Sequence, residues 1–485
     1  MHAIDYLIFV IYMLAMLGVG FYFYRKNTSS EDFYVSGRSM SSWHIGLSVV
    51  ATDVGGGFSI GLGGLGFTMG LSGSWMLFTG LIGAWLSAVL LIPKVSRLGH
   101  LHKFFTFPQI FSHFYNARVG LLAGIISAIG YVGFTSSQVL AGAKLASATI
   151  EGLDLQWALI IMGAIAVIYT SIGGLKAVIY TDTIQWIILI AGLVFIGIPI
   201  AYHAVGGMEA IKTTLAPEYL SLKNVSWLQL LNWSVTIIPI WFIGMTLYQR
   251  IYACKSEKEA KKAWFIAGLF EWPIMAFMGV ILGMLAKVAA SQGMFDSITD
   301  VASMDSEMGL PVLLSTILPV GLMGLMLSSY FSAILSTADS CLMAASGNIV
   351  TDIIETFYKK NISEKKLLQI SQIVTLAVGV FAILLASQMQ NVLELMLYSY
   401  AFMVSGLFVP VLGALFWKKS NAKAAFWSML LGGATTISLI LSGNKLAFGY
   451  SLPKDLDANI FGISISLLTF IVLSNYHYKK NKNGI

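Results

Sequence analysis

An aspartate lies in the middle of an apolar segment of membrane-spanning length. Asp53 precedes three consecutive glycines, residues 55–57, by two positions. An ionisable group at bilayer depth is costly, so it normally faces a cavity, a partner charge or a permeating ion. Consecutive glycines weaken a helix, and unwound backbone at this depth is tolerated only where protein or a water-filled cavity surrounds it. These residues therefore indicate a site that handles ions or polar solutes within the membrane.

A second polar cluster lies far along the chain. Ser336 and Ser340 are four residues apart and share one helical face, Thr337 lies in the neighbouring row, and Asp339 falls between them. Hydroxyl and carbonyl oxygens are the ligands that hard cations prefer. Single hydroxyls also connect membrane helices by hydrogen bonds, but this many hydroxyls beside an aspartate favour an ion site.

Three further acidic residues lie in apolar surroundings. Asp182 is a few residues inside one end of its predicted helix, where either the helix dipole or a role in an ion pathway would explain it. The sequence identifies no specific partner for Glu271 or Glu394. Their roles stay open at this stage.

The elements that carry these residues are membrane helices. Of the 485 residues, 57% are hydrophobic and 11% are charged, which excludes a soluble globular protein. Apolar stretches of about 20 residues predict an all-α integral membrane fold with about thirteen transmembrane helices. The predicted ranges are 3–24, 42–69, 72–96, 118–148, 155–173, 177–203, 226–252, 262–288, 310–340, 367–388, 391–417, 422–442 and 458–477.

Two predicted helices contain breaks at corresponding places. The first is the helix with the glycine run, and five helices later another contains Pro239 and Gly244. Proline removes a backbone hydrogen bond, and inverted-repeat transporters build their sites from such a pair. Glycine and proline are also ordinary in packed membrane helices, but the adjacent Asp53 favours a site. The predicted parts of this single domain, residues 1–485, are an extra N-terminal helix at 3–24, five-plus-five inverted repeats at 42–203 and 226–417, and two C-terminal helices at 422–477.

Basic residues are distributed unevenly between the two sides of the predicted bundle. Of the 29 Lys and Arg residues, 23, with Arg250 among them, fall in predicted loops on one side, and 6, with Lys144 among them, fall on the other. The positive-inside rule then predicts an outside N-terminus and a cytoplasmic C-terminus for a multi-pass protein of the cell inner (plasma) membrane. The net charge of +6 reflects this bias, so we expect the lipid bilayer as a partner and no nucleic acid. We expect the chain to function as a monomer.

Several local motifs together resemble the sodium/solute symporter family, which includes sodium/proline, sodium/galactose and sialic acid symporters and the choline transporter. The resemblance covers nearly the whole chain. It implies the inverted-repeat fold of the leucine transporter and import of a small organic solute by alternating access, coupled to inward sodium movement. The motifs are residues 31–38, residues 169–182, the pair Gln249-Arg250, residues 332–340 and residues 416–421.

The resemblance also implies a principal sodium site between the first broken helix and the eighth core helix. By local alignment, the first helix supplies the backbone carbonyls of Ala51 and Val54. The eighth core helix supplies oxygens of Ala333, Ser336 and Thr337. We therefore expect Na⁺ as the coupling ion.

Some family members hold a second sodium ion, and the matching residues here are Ser336, Ser340 and Asp182. Asp339 departs from that pattern, which has serine at its position, so either a second sodium site or an ion path is expected. Asp53 falls where the sodium/proline symporters also carry an aspartate linked to sodium binding. Its carboxylate could act on sodium or pair with a substrate ammonium group.

The predicted substrate pocket is apolar and aromatic, whereas a sugar requires many polar partners. Aromatic walls suit a compact zwitterion or a quaternary amine. The predicted solute is therefore a proline-like amino acid or a choline-like amine, and a monocarboxylate, a vitamin or a sugar is the alternative. The candidate pocket residues are Gly56, Gly57, Phe58, Tyr131, Phe134, Gln138, Pro239, Trp241 and Phe242.

Two other classes of function compete with transport. An enzyme would need a general acid or base with an orienting partner, and no predicted helix carries a histidine at mid-depth. We therefore expect no catalytic residues and no enzymatic activity. A non-transporting membrane sensor on the same scaffold is the remaining alternative.

Overall fold

The computed structural model describes residues 2–26, 34–170, 175–295, 301–358, 364–445, 453 and 456–482. This part of the chain is helical and has no β-strand. Nine of its helices are long and apolar enough to cross a membrane, and one bent pair makes a tenth. The all-α class is confirmed, whereas the count of thirteen transmembrane helices stays a prediction.

The helices are numbered in chain order. The first half contains α1 Ala3–Lys26, α2 Ser42–Met69, α3 Trp75–Leu90, α4 Ile92–His102, α5 Pro108–Phe114, α6 Ala117–Thr149, α7 Leu155–Thr170, α8 Leu175–Gly192, α9 Ile198–Ala204 and α10 Gly207–Thr214. The second half contains α11 Trp227–Ile243, α12 Met245–Ala253, α13 Glu257–Leu269, α14 Ala276–Ser291, α15 Gly309–Ile317, α16 Leu322–Gly347, α17 Glu355–Tyr358, α18 Glu364–Ala386, α19 Val392–Phe416, α20 Ala422–Ser442 and α21 Ala458–Lys482.

The prediction of one helix at 310–340 is wrong, because four residues, 318–321, separate the end of α15 from the start of α16. Pro319 lacks an N–H to continue α15, and Gly321 has a φ of 87°, which favours glycine. The first turn of α16 is capped from α1. The Gly321 and Gly324 amides donate to Asp5 Oδ1 at 2.7 and 2.9 Å.

The helices that carry the candidate site lie at the centre of the bundle. α16 packs against α2, α6 and α8, while α2 also packs against α13 and α14. α19 packs against α6 and α11. Side chains on the inner faces of α2, α6 and α16 are therefore enclosed by protein.

Breaks occur in both helices where the sequence predicts them. α2 departs from helical geometry at Gly55, and α11 and α12 meet at Gly244 with a bend of 42°. A third irregularity, which the sequence did not suggest, is the π-helical turn Phe270–Met275 between α13 and α14.

Candidate functional site

The break in α2 requires glycine and is held by hydrogen bonds. Gly55 has a φ of 46° and a ψ of −173°, a conformation that L-residues rarely adopt. Ser59 Oγ donates to Gly55 O at 2.8 Å, and Gly57 N donates to Gln138 Oε1 of α6 at 3.0 Å. A Cβ at Gly57 would lie 2.5 Å from Gln138 Nε2. Gln138, a predicted substrate residue, therefore supports the break.

Three of the five candidate sodium ligands lie together beside this break. Thr337 Oγ1 lies 3.1 Å from Ala51 O and 3.0 Å from Ala333 O, so its single proton is donated to one of these two carbonyls or shared between them. A Cβ at Gly55 would lie 2.8 Å from Thr337 Oγ1, so α16 passes directly against the unwound backbone. This buried group of carbonyl and hydroxyl oxygens has the donor chemistry that suits a hard cation.

The other two candidate sodium ligands differ. Val54 lies in α2 immediately before the break, and its side chain is outside the part of the chain that the structure describes. The same holds for Gly56 and the Phe58 side chain. Ser336 turns away from Thr337 and donates its hydroxyl proton to Asp182 Oδ1 of α8.

Asp182 forms a buried ion pair with Arg250 of α12. Arg250 Nη2 lies 3.3 Å from Asp182 Oδ2, and both side chains are 0% exposed. The guanidinium also donates from Nε to Ser48 Oγ at 3.0 Å and from Nη2 to Thr52 Oγ1 at 2.5 Å and Ser340 Oγ at 3.2 Å. One side chain thus connects α2, α8, α12 and α16. Hydrogen bonds on this scale are what a buried ion pair needs to offset its desolvation.

The prediction that Arg250 lies in a loop is wrong. It lies within α12 and is fully buried. Lys144, which was counted on the other side, is also buried and pairs with Asp305 at 2.6 Å and Glu307 at 2.7 Å. The signal that could have revealed Arg250 is its place in an apolar helix, since a guanidinium there requires a carboxylate.

Asp339 is a buried carboxylate that lies outside the hydrogen bonds of the Asp182 and Arg250 pair. Its side chain is 1% exposed, and neither carboxylate oxygen has a hydrogen-bond partner of ordinary geometry among the described residues. Thr170 of α7 is the polar side chain beside it. Asp339 therefore lies near the Asp182 cluster, and its part in a second ion site stays a prediction.

Asp53 occupies a mostly aromatic surrounding with one other carboxyl group. It is 6% exposed and interacts electrostatically with Glu271. Tyr131 of α6 and Tyr400 of α19 lie near it. Sequence reasoning left Glu271 without a partner, because nothing in the sequence shows that α2 and the π-helical turn meet.

Two of the predicted aromatic residues line this region. Phe134 packs against Tyr400 with ring centroids 5.1 Å apart, and its own neighbour Tyr131 is at 6.2 Å. Thr246 N donates to Tyr131 Oη at 3.1 Å, and the Thr246 hydroxyl lies 3.1 Å from the same oxygen. Tyr131 thereby fixes the first turn of α12 just after the break at Gly244.

The predicted substrate residues of α11 occupy packing positions. Trp241 lies against Trp264 of α13 at 6.3 Å, and a Cβ at Gly83 of α3 would lie 2.5 Å from its ring. Phe242 packs against Phe408 of α19 at 5.8 Å, and Pro239 is buried within α11. Direct contact of these residues with a solute stays a prediction.

A cavity of about 460 Å³ opens toward the end of the bundle that carries Glu307. Its acidic lining residues are Glu307, Glu394 and Asp457, and its aromatic ones are Trp233 and Tyr398. Among the described residues, no lysine or arginine lines it. The cavity shares α2 with the break but is lined several residues farther along that helix, from Gly61 to Met69.

Comparison with known proteins identifies the scaffold. The sequence model of the Sodium:solute symporter family matches residues 33–432. The chain belongs to the sodium:solute symporter family. Among similar proteins, the "Osmoregulated proline transporter OpuE" of Bacillus subtilis (strain 168) is 28% identical, with 95% of this chain and 94% of that protein aligned. The "Sodium/proline symporter" of Escherichia coli (strain K12) is 27% identical, with 88% and 86% aligned.

A solved structure shows the same fold. A Na⁺-coupled sialic acid symporter in a substrate-bound outward-open state superposes with a TM-score of 0.79 at 22% identity, covering 98% of both chains. This member of the sodium:solute symporter family is therefore a multi-span membrane transporter with a leucine-transporter-like fold. It is a symporter and not an enzyme, and sodium is its coupling ion. The family resemblance expected from the motifs is confirmed.

Proposed function

We propose that this symporter imports a proline-like amino acid together with sodium by alternating access. The observation that carries this proposal is the buried Asp53 carboxylate beside a helix break, with Tyr131, Phe134 and Tyr400 around it. A carboxylate with aromatic neighbours suits a compact ammonium-bearing zwitterion. The proline transporters among the relatives support the same substrate class.

We place the coupling sodium among the oxygens of Ala51, Val54, Ala333 and Thr337, with Ser336 as the link to Asp182. An ion held there would tie α2 to α16 across the break. Because the solute contacts the same broken helix, each ligand strengthens binding of the other by the same factor. Downhill movement of sodium then drives uphill movement of the solute.

We propose that Asp182, Asp339 and Ser340 belong to the path along which sodium leaves the site. Arg250 already gives Asp182 a counter-charge and donates to Ser340. A second sodium ion would have to displace that guanidinium from a position in which it has five hydrogen-bond partners. This arrangement favours one sodium ion per solute.

We further propose a plasma-membrane location, an outside N-terminus, a cytoplasmic C-terminus and function as a monomer. The uneven Lys and Arg distribution supports the orientation. Labelling of single cysteines introduced near each terminus, in intact cells and in opened membranes, tests it. The mass of the detergent-purified protein, measured by light scattering, tests the monomer.

A second candidate solute is a quaternary amine of the choline type, which the same aromatic rings could bind by cation–π attraction. A thermal-shift screen of amino acids, betaines, choline, sugars and carboxylates, with and without sodium, separates the candidates. The true solute stabilises the folded protein more strongly when sodium is present. Stabilisation by a sugar or a carboxylate alone would refute the proposed substrate class.

A further inference from the structure

Glu271 is a buried carboxylate that is not among the candidate sodium ligands. It lies in the turn Phe270–Met275 between α13 and α14, next to Trp272, whose backbone is extended at φ −137° and ψ 124°. The side chain is 0% exposed; it shares a hydrogen bond with the Asp53 carboxyl group, and neither Glu271 oxygen has another hydrogen-bond donor among the described residues. A buried acceptor without a donor costs about 1–3 kcal/mol, and a charged one costs more. Such a group is suited to a ligand that supplies the missing donors.

The Asp53 side chain lies toward Glu271, on the side of α2 opposite the face that meets Thr337. Ala51 and Gly55 are four residues apart on α2, and both meet Thr337 of α16. Asp53 lies midway between them, about 200° around the helix axis from each. It interacts with Glu271 on that opposite flank. The two carboxyl groups therefore form a site that is separate from the proposed sodium site and next to it.

The described residues supply no cation to this place. Of the two buried cationic side chains in the described residues, Arg250 pairs with Asp182 and Lys144 pairs with Glu307. No lysine or arginine within the described ranges forms a salt bridge with Asp53 or Glu271. Two adjacent buried carboxylates repel each other unless a proton or a cation lies between them.

The remaining walls are close and mostly apolar. A Cβ at Gly80 of α3 would overlap the Glu271 carboxylate, so glycine lets that group lie against the α3 backbone. Tyr400 of α19 is near both Asp53 and Glu271. The two adjacent carboxyl groups therefore favour a positively charged partner.

We propose that Glu271 and Asp53 together bind an ammonium group of the transported solute that carries N–H donors, namely a primary or secondary amine. Carboxylate oxygens accept hydrogen bonds from N–H groups, and charge-assisted bonds of this kind are the strong ones. A quaternary nitrogen has no N–H and would leave the buried oxygens unpaired, which a site built for hydrogen bonds rejects. This inference rests on the proposed function and distinguishes its first candidate from the choline-type candidate.

The test is the thermal stability of the purified full-length protein in sodium and in potassium, with three probes of one shape. They are L-proline, its N,N-dimethyl betaine, and tetrahydrofuran-2-carboxylate, in which oxygen replaces the N–H. Glycine, putrescine, choline, galactose and pyruvate extend the panel. We expect only compounds with an N–H ammonium group to stabilise in a sodium-dependent way. Glu271→Gln should weaken binding of the most strongly stabilising compound by at least about tenfold. Glu209→Gln, at an exposed position in α10, should bind that compound as the parent does.

The variant Gly80→Ala keeps both carboxyl groups and displaces Glu271, so it should weaken binding of the same compound. The inference is wrong if no N–H ammonium compound stabilises, if the betaine or the oxygen analogue binds as tightly, or if Glu271→Gln binds unchanged. Failure of the proposed function would look different. An N–H compound would then stabilise equally in sodium and in potassium while still depending on Glu271.

Discussion

Replacing Thr337 by valine should raise the sodium concentration needed for half-saturation. Valine keeps the shape of threonine but removes the one hydroxyl that contacts both Ala51 O, at 3.1 Å, and Ala333 O, at 3.0 Å. Loss of this ligand, with the two buried carbonyls left less satisfied, costs about 1–3 kcal/mol. At 1.4 kcal/mol per tenfold, this predicts a rise of about 5- to 150-fold.

The measurement is a sodium titration of thermal stability without solute, followed by a sodium titration of uptake into proteoliposomes. Thr337→Ser is the matched control, because it keeps the hydroxyl and loses only a methyl group. It should stay within about threefold of the parent, a difference below 1 kcal/mol. If valine and serine variants, both folded, share the sodium dependence of the parent, Thr337 is not a sodium ligand and the site is misplaced.

Three other changes follow from the same geometry. Arg250→Gln should lower the unfolding midpoint strongly, because an uncompensated buried Asp182 costs about 3–5 kcal/mol; adding Asp182→Asn should restore part of it, and strictly additive losses would argue against the ion pair. Gly57→Ala should slow uptake, because its Cβ would lie 2.5 Å from Gln138 Nε2, and Gln138→Ser should recover some of the rate; full activity of Gly57→Ala alone would show that this approach does not matter. Asp53→Asn should weaken solute binding by at least about tenfold and leave the sodium concentration for half-saturation within about threefold of the parent. If titrations show unchanged solute binding and a large rise in the sodium requirement, Asp53 acts on sodium.

The helix break and the oxygens beside it could be predicted because they follow local sequence patterns. A glycine run beside an aspartate marks the break in α2, and helical spacing places Thr337 and Ala333 on adjacent turns. The structure brings Thr337 into contact with Ala51, and the role of these residues as sodium ligands stays a prediction. The sequence does not determine which neighbours the Asp53 side chain faces, because this depends on where α2 breaks at Gly55.

The contacts between distant helices could not be predicted in the same way. Charge counting treated Arg250 as a loop residue, because the positive-inside rule considers sequence neighbours and not counter-charges on other helices. Glu271 had no assigned partner, because its neighbour Asp53 lies more than two hundred positions earlier. Hydropathy also joined α15 and α16, because Pro319 and Gly321 break the helix without interrupting the apolar run.

A sodium gradient should drive accumulation of an amine-bearing solute through this protein. The most direct measurement uses proteoliposomes containing the purified chain and the radiolabelled ammonium compound that gives the largest sodium-dependent stabilisation. With inward sodium and potassium gradients compared at equal membrane potential, sodium should drive transient accumulation above the outside concentration, and Glu271→Gln should abolish it. Equal uptake in sodium and potassium that never exceeds equilibration would contradict the claim.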